Sequence, residues 1–298
     1  MILTGDIRTV DLPVERFRTC VTSPPYWQLR DYGVGVGQQI GLDETLDEYV
    51  AELVGVFRRV RQALTEDGTL WLNLGDSYAS NRSYQVTDTK HVDVGNSRGM
   101  TVPDGLKPKD LVGIPWRVAF ALQQDGWYLR SDIIWAKRNP MPESVMDRPT
   151  RAHEYVFLLS KAERYFYDQE AIAEQAVGAV ASNSFERSER ISGGLGAGLS
   201  ERWDPGNRAI RNRRDVWTIL TEPFPEAHFA VMPTRLAELC VLAGSERGDF
   251  VLDPFAGSGT TGEACIVEGF DCTMIEREAQ YVDLIDKRLS KDIQRVML

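Results

Sequence analysis

Apolar residues follow two patterns along the chain, helical spacing in some stretches and short continuous runs in others. Helical spacing is clearest after Thr45, where a capping box joins Thr45 to Glu48. This spacing predicts an amphipathic helix through Leu46, Val50, Leu53, Phe57, Val60 and Leu64. The continuous runs are bounded by turn residues and predict seven strands. Their sequences are MILT, FRTCVT, DGTLWLNLG, WYLRSDIIWAK, EYVFLLSK, FVLD and DCTMIE.

The two patterns alternate, which is typical of an α/β fold. The best-defined unit lies near the C-terminal end, in GDFVLDPFAGSGTTGEACIVEGFDCTMIERE. There FVLD and DCTMIE are strands, and TTGEACIVEG is a helix that begins after a glycine-rich turn and ends at Gly269. A further helix is predicted around Leu111 to Gln123.

Two stretches interrupt this pattern and predict the domain organisation. Asp76 to Pro108 is rich in small polar residues and lacks apolar periodicity, which predicts a long loop. Residues 169–214 are rich in Ala, Ser, Gly, Arg and Glu and contain the flexible run ISGGLGAGLS. We therefore expect residues 1–168 and 215–298 to form one α/β body, with residues 169–214 as an insertion.

The composition narrows the class of protein. No apolar run is long enough to span a bilayer, so we expect a cytoplasmic protein without membrane contact. The four cysteines form no C-x-x-C pair and have no histidine at ligand spacing, so neither a disulfide framework nor a zinc site is expected. The net charge is −10, yet from Asn81 to Trp217 there are 20 Lys and Arg against 18 Asp and Glu. This middle part is the one best suited to face a polyanion.

A glycine-rich turn carries the first chemical signal. Gly257, Gly259 and Gly262 match the pattern G-x-G-x-x-G, and Glu276 ends the following strand, where a carboxylate can accept hydrogen bonds from a ribose. A tight strand-to-helix turn without a ligand is the alternative. The turn lies too close to the C-terminal end for a second nucleotide-binding half to follow it. We therefore predict a site for a nucleoside cofactor and a permuted order of strands.

The motifs TSPPYW and DPFAGSGTT together resemble those of S-adenosylmethionine-dependent DNA amino-methyltransferases, in the group where the catalytic motif precedes the cofactor motif. Other segments, including ILTGD, RPTRAHEYVFLLSK and HFAVMPTRLAELCVLAG, extend the resemblance over most of the chain. It implies a Rossmann-like, mostly parallel seven-stranded sheet with helices on both faces and an inserted target-recognition region. Taken alone, SPPY is more often a surface polyproline turn, with Tyr26 and Trp27 as packing aromatics.

The resemblance assigns the cofactor residues. DPFAGSG becomes the methionine and adenosine loop, with Phe255 against S-adenosylmethionine and the glycines lining it. Glu276 is expected to hold the ribose hydroxyls, and Asp6 to approach the adenine amino group. The assigned cofactor-binding residues are Asp6, Asp253, Phe255, Gly257, Gly259 and Glu276.

The resemblance also gives the proline pair a role. The Ser23 hydroxyl and the Pro24 carbonyl would accept the two N–H bonds of an exocyclic base amine, Pro25 would hold them rigid, and Tyr26 would stack on the base. Serine at the first motif position points to cytosine N4, whereas Asp or Asn there accompanies adenine N6. The base of duplex DNA must be flipped out to be reached, and no metal is needed.

Candidate DNA contacts lie in two basic runs, AKRNP and RNRRD. Their residues are Lys137, Arg138, Arg211, Arg213 and Arg214. The long loop of residues 76–108 is expected near double-stranded DNA. A separately acting restriction endonuclease and a homodimer both stay open. Alternative hypotheses are adenine-N6 methylation on the same fold, an RNA or protein methyltransferase, and a non-catalytic DNA-binding or cofactor-sensing protein.

Overall fold

A computed structural model of the chain describes residues 1–27, 39–43, 45–79, 102, 104–175, 210–222 and 231–296, with side chains up to residue 290. The chain divides into two compact units, Met1–Asp168 with Asp215–Leu298, and Gln169–Arg214. The described elements, in chain order, are β1 (Ile2–Thr4), β2 (Phe17–Thr22), α1 (Leu46–Ala63), β3 (Leu64–Leu74), α2 (Ile114–Gln124), β4 (Tyr128–Lys137), β5 (His153–Ser160), β6 (Glu174–Gln175), β7 (Ile210–Arg211), β8 (Val216–Ile219), α3 (Thr234–Gly244), β9 (Phe250–Asp253), α4 (Thr260–Glu268), β10 (Asp271–Glu276) and α5 (Ala279–Val296).

The larger unit is built on one mixed sheet, with the strand order β1-β10-β9-β2-β3-β5-β4-β8. All neighbours are parallel except β5, which runs antiparallel to both β3 and β4. The mostly parallel α/β sheet predicted from the sequence is confirmed. The expected number of strands is corrected from seven to eight, because β8 pairs in parallel with β4. That strand was missed because it is four residues long and only Trp217 in it is buried.

The predicted permutation of the sheet is also confirmed. The first strand pairs in parallel with the last one, with Ile2 opposite Met274 and Thr4 opposite Glu276. The Gly5 amide continues this contact by donating to the Glu276 carbonyl at 2.9 Å. The N-terminal strand therefore completes the edge of the sheet beside the C-terminal βαβ unit.

Helices cover both faces of the sheet, and the alternation of side chains along the strands shows how. Cys20, Leu70 and Leu72 point into the cluster that α1 and α2 complete. Thr19 and Trp71 point the other way, where a side chain at Gly244 of α3 would collide with them. Because both faces are covered, the central strands are almost continuously apolar.

Helix boundaries agree with the prediction for α1 and differ for α2. Thr45 and Glu48 form the predicted capping box, although Leu64 belongs to β3 and not to the helix. Helix α2 begins at Ile114, three residues later than predicted. The Asp76 carboxylate accepts the amides of Gly113 and Ile114 at 2.9 and 3.0 Å, so a distant residue sets this start.

Most of the two variable stretches lies outside the described residues. The smaller unit is described at its two ends, where β6 and β7 form an antiparallel pair. Of the loop predicted at Asp76 to Pro108, only the two ends and residue 102 are described. Among the described residues, no helix combines the length and the apolar character needed to cross a membrane.

Candidate active site

A cavity of about 360 Å³ lies beyond the carboxyl ends of β2, β9 and β10. The order of the sheet reverses between β2 and β9, and such a switch point is where open α/β sheets bind ligands. Both sequence motifs contribute to its wall. The predicted site residues that line it are Asp6, Ser23, Pro24, Pro25, Tyr26, Asp253, Phe255, Gly257 and Glu276.

Asp253 joins the two motifs directly. Its carboxylate accepts a hydrogen bond from the Thr22 hydroxyl at 2.6 Å and another from the Phe255 amide at 3.1 Å. Thr22 and Asp253 are 231 residues apart in the sequence. The Thr261 hydroxyl adds a second link by donating to the Val21 carbonyl at 3.2 Å. Burial raises the pKa of Asp253 despite these hydrogen bonds. Ser23 and the glycine turn are therefore held side by side by buried contacts.

The glycine turn directly precedes α4, and part of the turn lines the cavity. Gly257 has a φ of +53°, lines the cavity and donates its amide to Glu276 Oε2 at 2.8 Å. Gly259 precedes α4 with a φ of +81° and is not among the lining residues. A Cβ at Gly259 would lie 2.9 Å from Ile285, so this glycine allows α5 to pack closely.

Asp6 and Glu276, two carboxylates that line the cavity, have different environments. Glu276 is buried, which raises its pKa although the amides of Glu278 and Gly257 bond to it. At Asp6, burial favours a higher pKa, but hydrogen bonds from Arg8 outweigh it and the pKa is lowered. Arg8 Nη2 lies 2.7 Å from Asp6 Oδ2. Asp6 is thus a well-stabilised anion, whereas Glu276 resists ionisation.

The last helix braces the glycine turn. Arg288 of α5 donates to the Ser258 carbonyl and to the Thr260 hydroxyl, each at 3.1 Å, and forms an ion pair with Glu263. Ser258 and Thr260 both line the cavity. Arg288 therefore fixes the turn from behind, a role that the sequence motifs did not reveal.

The carbonyl of Pro25, the second proline of the pair, accepts a hydrogen bond from a buried tyrosine. Tyr49 of α1 is fully buried and donates its hydroxyl to the Pro25 carbonyl at 2.9 Å. Among the described residues we find no donor to the Pro24 carbonyl, although Pro24 lines the cavity. The Tyr26 ring packs on Gly75, where a Cβ would lie 2.6 Å from the ring. Ser23 and Pro24 both line the cavity, and each carries an oxygen that is chemically able to accept a hydrogen bond.

The Tyr26 hydroxyl belongs to a partly buried cluster of polar side chains at the cavity. Its hydroxyl donates to Glu154 Oε2 at 2.8 Å and lies 3.4 Å from Ser23 Oγ. Burial, and then the nearby Glu154 charge, raise the pKa of Tyr26 far above its usual value. Lys137 Nζ lies 2.5 Å from Glu154 Oε1. Tyr26 is therefore a neutral hydrogen-bond donor.

The five candidate DNA contacts have diverse surroundings. Lys137 is paired with Glu154 beside the cavity, whereas Arg138 is exposed. Arg211 and Arg214 both bond to Glu174 Oε1, at 2.9 and 2.7 Å, and Arg213 donates to a backbone carbonyl at 2.8 Å. These three arginines contribute to the ordering of the insertion's two ends.

Several residues of the cavity wall were not predicted. Asn73 is 2% exposed in an apolar strand, a signal that sequence reading could have used because buried amides need partners. Glu154 and Arg151 sit at the start of β5 and just before it, and they reach the cavity only because β5 is antiparallel. The unpredicted lining residues with polar side chains include Asn73, Asp76, Arg151, Glu154, Arg277 and Tyr281.

Proteins similar to this chain include DNA methylases and type II methyltransferases. The model of a DNA methylase family, the N6/N4 group, matches residues 17–287. The chain is 50% identical over 291 residues to the type II methyltransferase M.SmaI of Serratia marcescens, covering 97% of this chain and 90% of that protein. It is 47% identical over 303 residues to M.Cfr9I of Citrobacter freundii, covering 99% and 89%.

Solved structures share the fold. TTHA0409 of Thermus thermophilus, solved as a complex with S-adenosyl-L-methionine, has a TM-score of 0.62 at 22% identity, covering 98% of this chain and 93% of that one. The PvuII DNA methyltransferase, described as cytosine-N4-specific, has a TM-score of 0.65 at 18% identity, covering 99% and 91%. The family match over most of the sequence and the joined motifs in one cavity show that this chain belongs to the N6/N4 family of DNA methylases.

Proposed function

We propose that the protein transfers a methyl group from S-adenosylmethionine to the exocyclic N4 amine of a flipped cytosine in double-stranded DNA. The observation that carries this proposal is the buried contact of Asp253 with both Thr22 and Phe255. It holds the Ser23–Pro24 acceptors and the glycine turn on one cavity of about 360 Å³, a volume in the range of small-ligand sites.

The cofactor end of the cavity fits S-adenosylmethionine. Glu276 offers carboxylate lone pairs to ribose hydroxyls, Phe255 offers an aromatic face, and Gly257 leaves open space beside the turn. Asp6 lies beside the first strand and would take the adenine end. The bound cofactor would supply a methyl group activated on a positively charged sulfur.

The acceptor end fits an amine. A base amine is a poor nucleophile, because its lone pair is delocalised into the ring until the nitrogen becomes pyramidal. Acceptors aimed at its two N–H bonds favour that change, and Ser23 Oγ and the Pro24 carbonyl are such a pair. The lone pair then points out of the base plane. Inside a duplex this direction is blocked by the neighbouring bases, so the base must leave the stack, at a cost of a few kcal/mol.

The choice of cytosine is supported by Ser23, since the resemblance associates serine at the first motif position with cytosine N4, and Asp or Asn there with adenine N6. The test is to incubate the protein with duplex DNA and methyl-labelled S-adenosylmethionine, digest the DNA to nucleosides, and identify the labelled one by mass spectrometry. We expect N4-methyldeoxycytidine. N6-methyldeoxyadenosine would overturn the choice of base, and binding of both ligands without any labelled nucleoside would favour a sensor.

Cofactor affinity should depend on pH through Glu276. Ribose hydroxyls donate to the ionised carboxylate, so binding weakens as the pH falls through the raised pKa of Glu276, above the usual value of about 4.3. Calorimetric titrations over mildly acidic to neutral pH measure this. Glu276→Gln should bind more weakly and lose part of the pH dependence, the remainder coming from Asp253. Identical pH dependence in both proteins would contradict this role.

Sequence recognition is assigned to residues 169–214 and to the loop at 76–108, with Arg138 and Arg214 as the exposed candidates for DNA contacts. A restriction endonuclease that cuts the same sequence would be a separate protein. The large α/β unit would thus carry the chemistry, and the variable stretches the choice of target.

A further inference from the structure

A partly buried ion pair lies at the acceptor end of the cavity, next to the Tyr26 hydroxyl. Glu154 Oε2 accepts from Tyr26 at 2.8 Å and from Asn73 Nδ2 at 3.2 Å. Glu154 Oε1 accepts from Lys137 Nζ at 2.5 Å. The side chains of Lys137 and Glu154 are only 17% and 12% exposed, so this pair is not an incidental surface contact.

Glu154 determines the direction of the hydrogen bonds around it. A carboxylate can only accept, so the single hydroxyl proton of Tyr26 is directed to Glu154. The Asn73 oxygen, 3.4 Å from the same hydroxyl, is a more distant and uncharged competitor.

The same arrangement sets the direction of the hydrogen bond between Tyr26 and Ser23. The Tyr26 oxygen, whose hydrogen is directed at Glu154, accepts a hydrogen bond from the Ser23 hydroxyl at an oxygen–oxygen distance of 3.4 Å. This distance is long for such a bond, as is common in catalytic sites before the substrate binds. Ser23 is then left with lone pairs directed at the cavity, which is what an amine N–H requires.

We propose that Glu154 is a positioning residue for methyl transfer: through Tyr26 it makes Ser23 a hydrogen-bond acceptor for the target amine, and Lys137 neutralises the charge of Glu154. The inference rests on the proposed function. It gives Lys137 a place inside the site and removes it from the DNA contacts predicted from sequence. Removing Lys137 alone would leave the partly buried Glu154 charge without its partner.

Glu154→Gln tests the direction of the hydrogen bonds that link Ser23, Tyr26 and Glu154, and it hardly changes the shape of the side chain. The new amide can donate to the Tyr26 oxygen, which allows Tyr26 to donate to Ser23 and turns the Ser23 proton toward the amine. We expect kcat to fall about 10- to 100-fold, as when groups that orient a catalytic side chain are changed. The KM for S-adenosylmethionine and the Kd for duplex DNA should change less than about 2-fold, within ordinary scatter.

A double-mutant cycle with Tyr26→Phe separates positioning from a general loss of structure. Tyr26→Phe removes the link, so adding Glu154→Gln to it should change kcat less than about 2-fold. Fully multiplicative losses, or an unchanged kcat in Glu154→Gln alone, would overturn the proposal.

If Glu154→Gln does not fold, Lys137→Met with Glu154→Gln removes both charges, and wild-type kcat in that variant would equally overturn it. Inactive wild-type protein would overturn the proposed function and this inference with it, whereas active wild type with an unaffected Glu154→Gln overturns the inference alone.

Discussion

Ser23→Ala should lower the rate of methyl transfer about 100- to 1,000-fold, the loss found when one preorganised hydrogen-bonding group is removed from a transition state. The change deletes an acceptor that lines the cavity and leaves the Pro24 carbonyl alone to direct the amine. Cofactor binding should persist, because the glycine turn and Glu276 are untouched. Single-turnover transfer of labelled methyl groups to duplex DNA measures the rate, and calorimetry measures the binding.

Ser245→Ala is the matched control for this substitution. Ser245 is buried, its hydroxyl has no partner among the described residues, and it does not line the cavity. The same chemical change there should leave the transfer rate near the wild-type value. A Ser23→Ala protein as active as the Ser245→Ala control would show that Ser23 is not an acceptor for the amine.

Gly257→Val should abolish cofactor binding, with an affinity loss of at least about 100-fold, or about 2.8 kcal/mol. The nearest protein atom to a Cβ at Gly257 is the Phe255 carbonyl oxygen at 3.9 Å, so the new side chain has room in the free protein. Because Gly257 lines the cavity, that room is the space that the cofactor would take. Calorimetric titration with S-adenosylmethionine measures the loss.

Gly248→Val controls for backbone strain in this experiment. Gly248 has a φ of +97°, a Cβ there would meet no described atom within 4 Å, and the residue does not line the cavity. Both variants should lose about 1–2 kcal/mol of stability from a side chain in the left-handed region. Only Gly257→Val should lose the cofactor. Equal loss of binding in the two proteins would mean that strain, and not the site, is responsible.

The sequence predicted the elements whose pattern is local. The capping box at Thr45, the C-terminal βαβ unit and the alternating strands depend on neighbours within a few residues, and the structure has them at these positions. The permutation was predictable too, because every predicted strand of the given sequence except DCTMIE precedes the glycine turn. The parallel pairing of β1 with β10, in which Ile2 lies opposite Met274, is the contact that this permutation requires.

The acceptor end of the cavity was largely beyond sequence reasoning. Glu154 reaches Tyr26 because β5 runs antiparallel, which places its first residues at the carboxyl ends of its neighbours. No pattern within EYVFLLSK reveals that direction. The ion pair of Lys137 with Glu154 was hidden for the same reason, since the two residues are 17 apart in sequence and the direction of β5 was unknown. Long-range strand direction, and not local propensity, decided both cases.

A crystal structure of the protein with bound S-adenosylmethionine tests the central claim most directly, namely that the N-terminal proline motif and the C-terminal glycine turn form one methyl-transfer site. We expect the ribose against Glu276, the adenine between Phe255 and Asp6, and the methyl group directed at the space before Ser23 Oγ and the Pro24 carbonyl. A cofactor bound elsewhere, or one whose methyl group points away from Ser23, would contradict it.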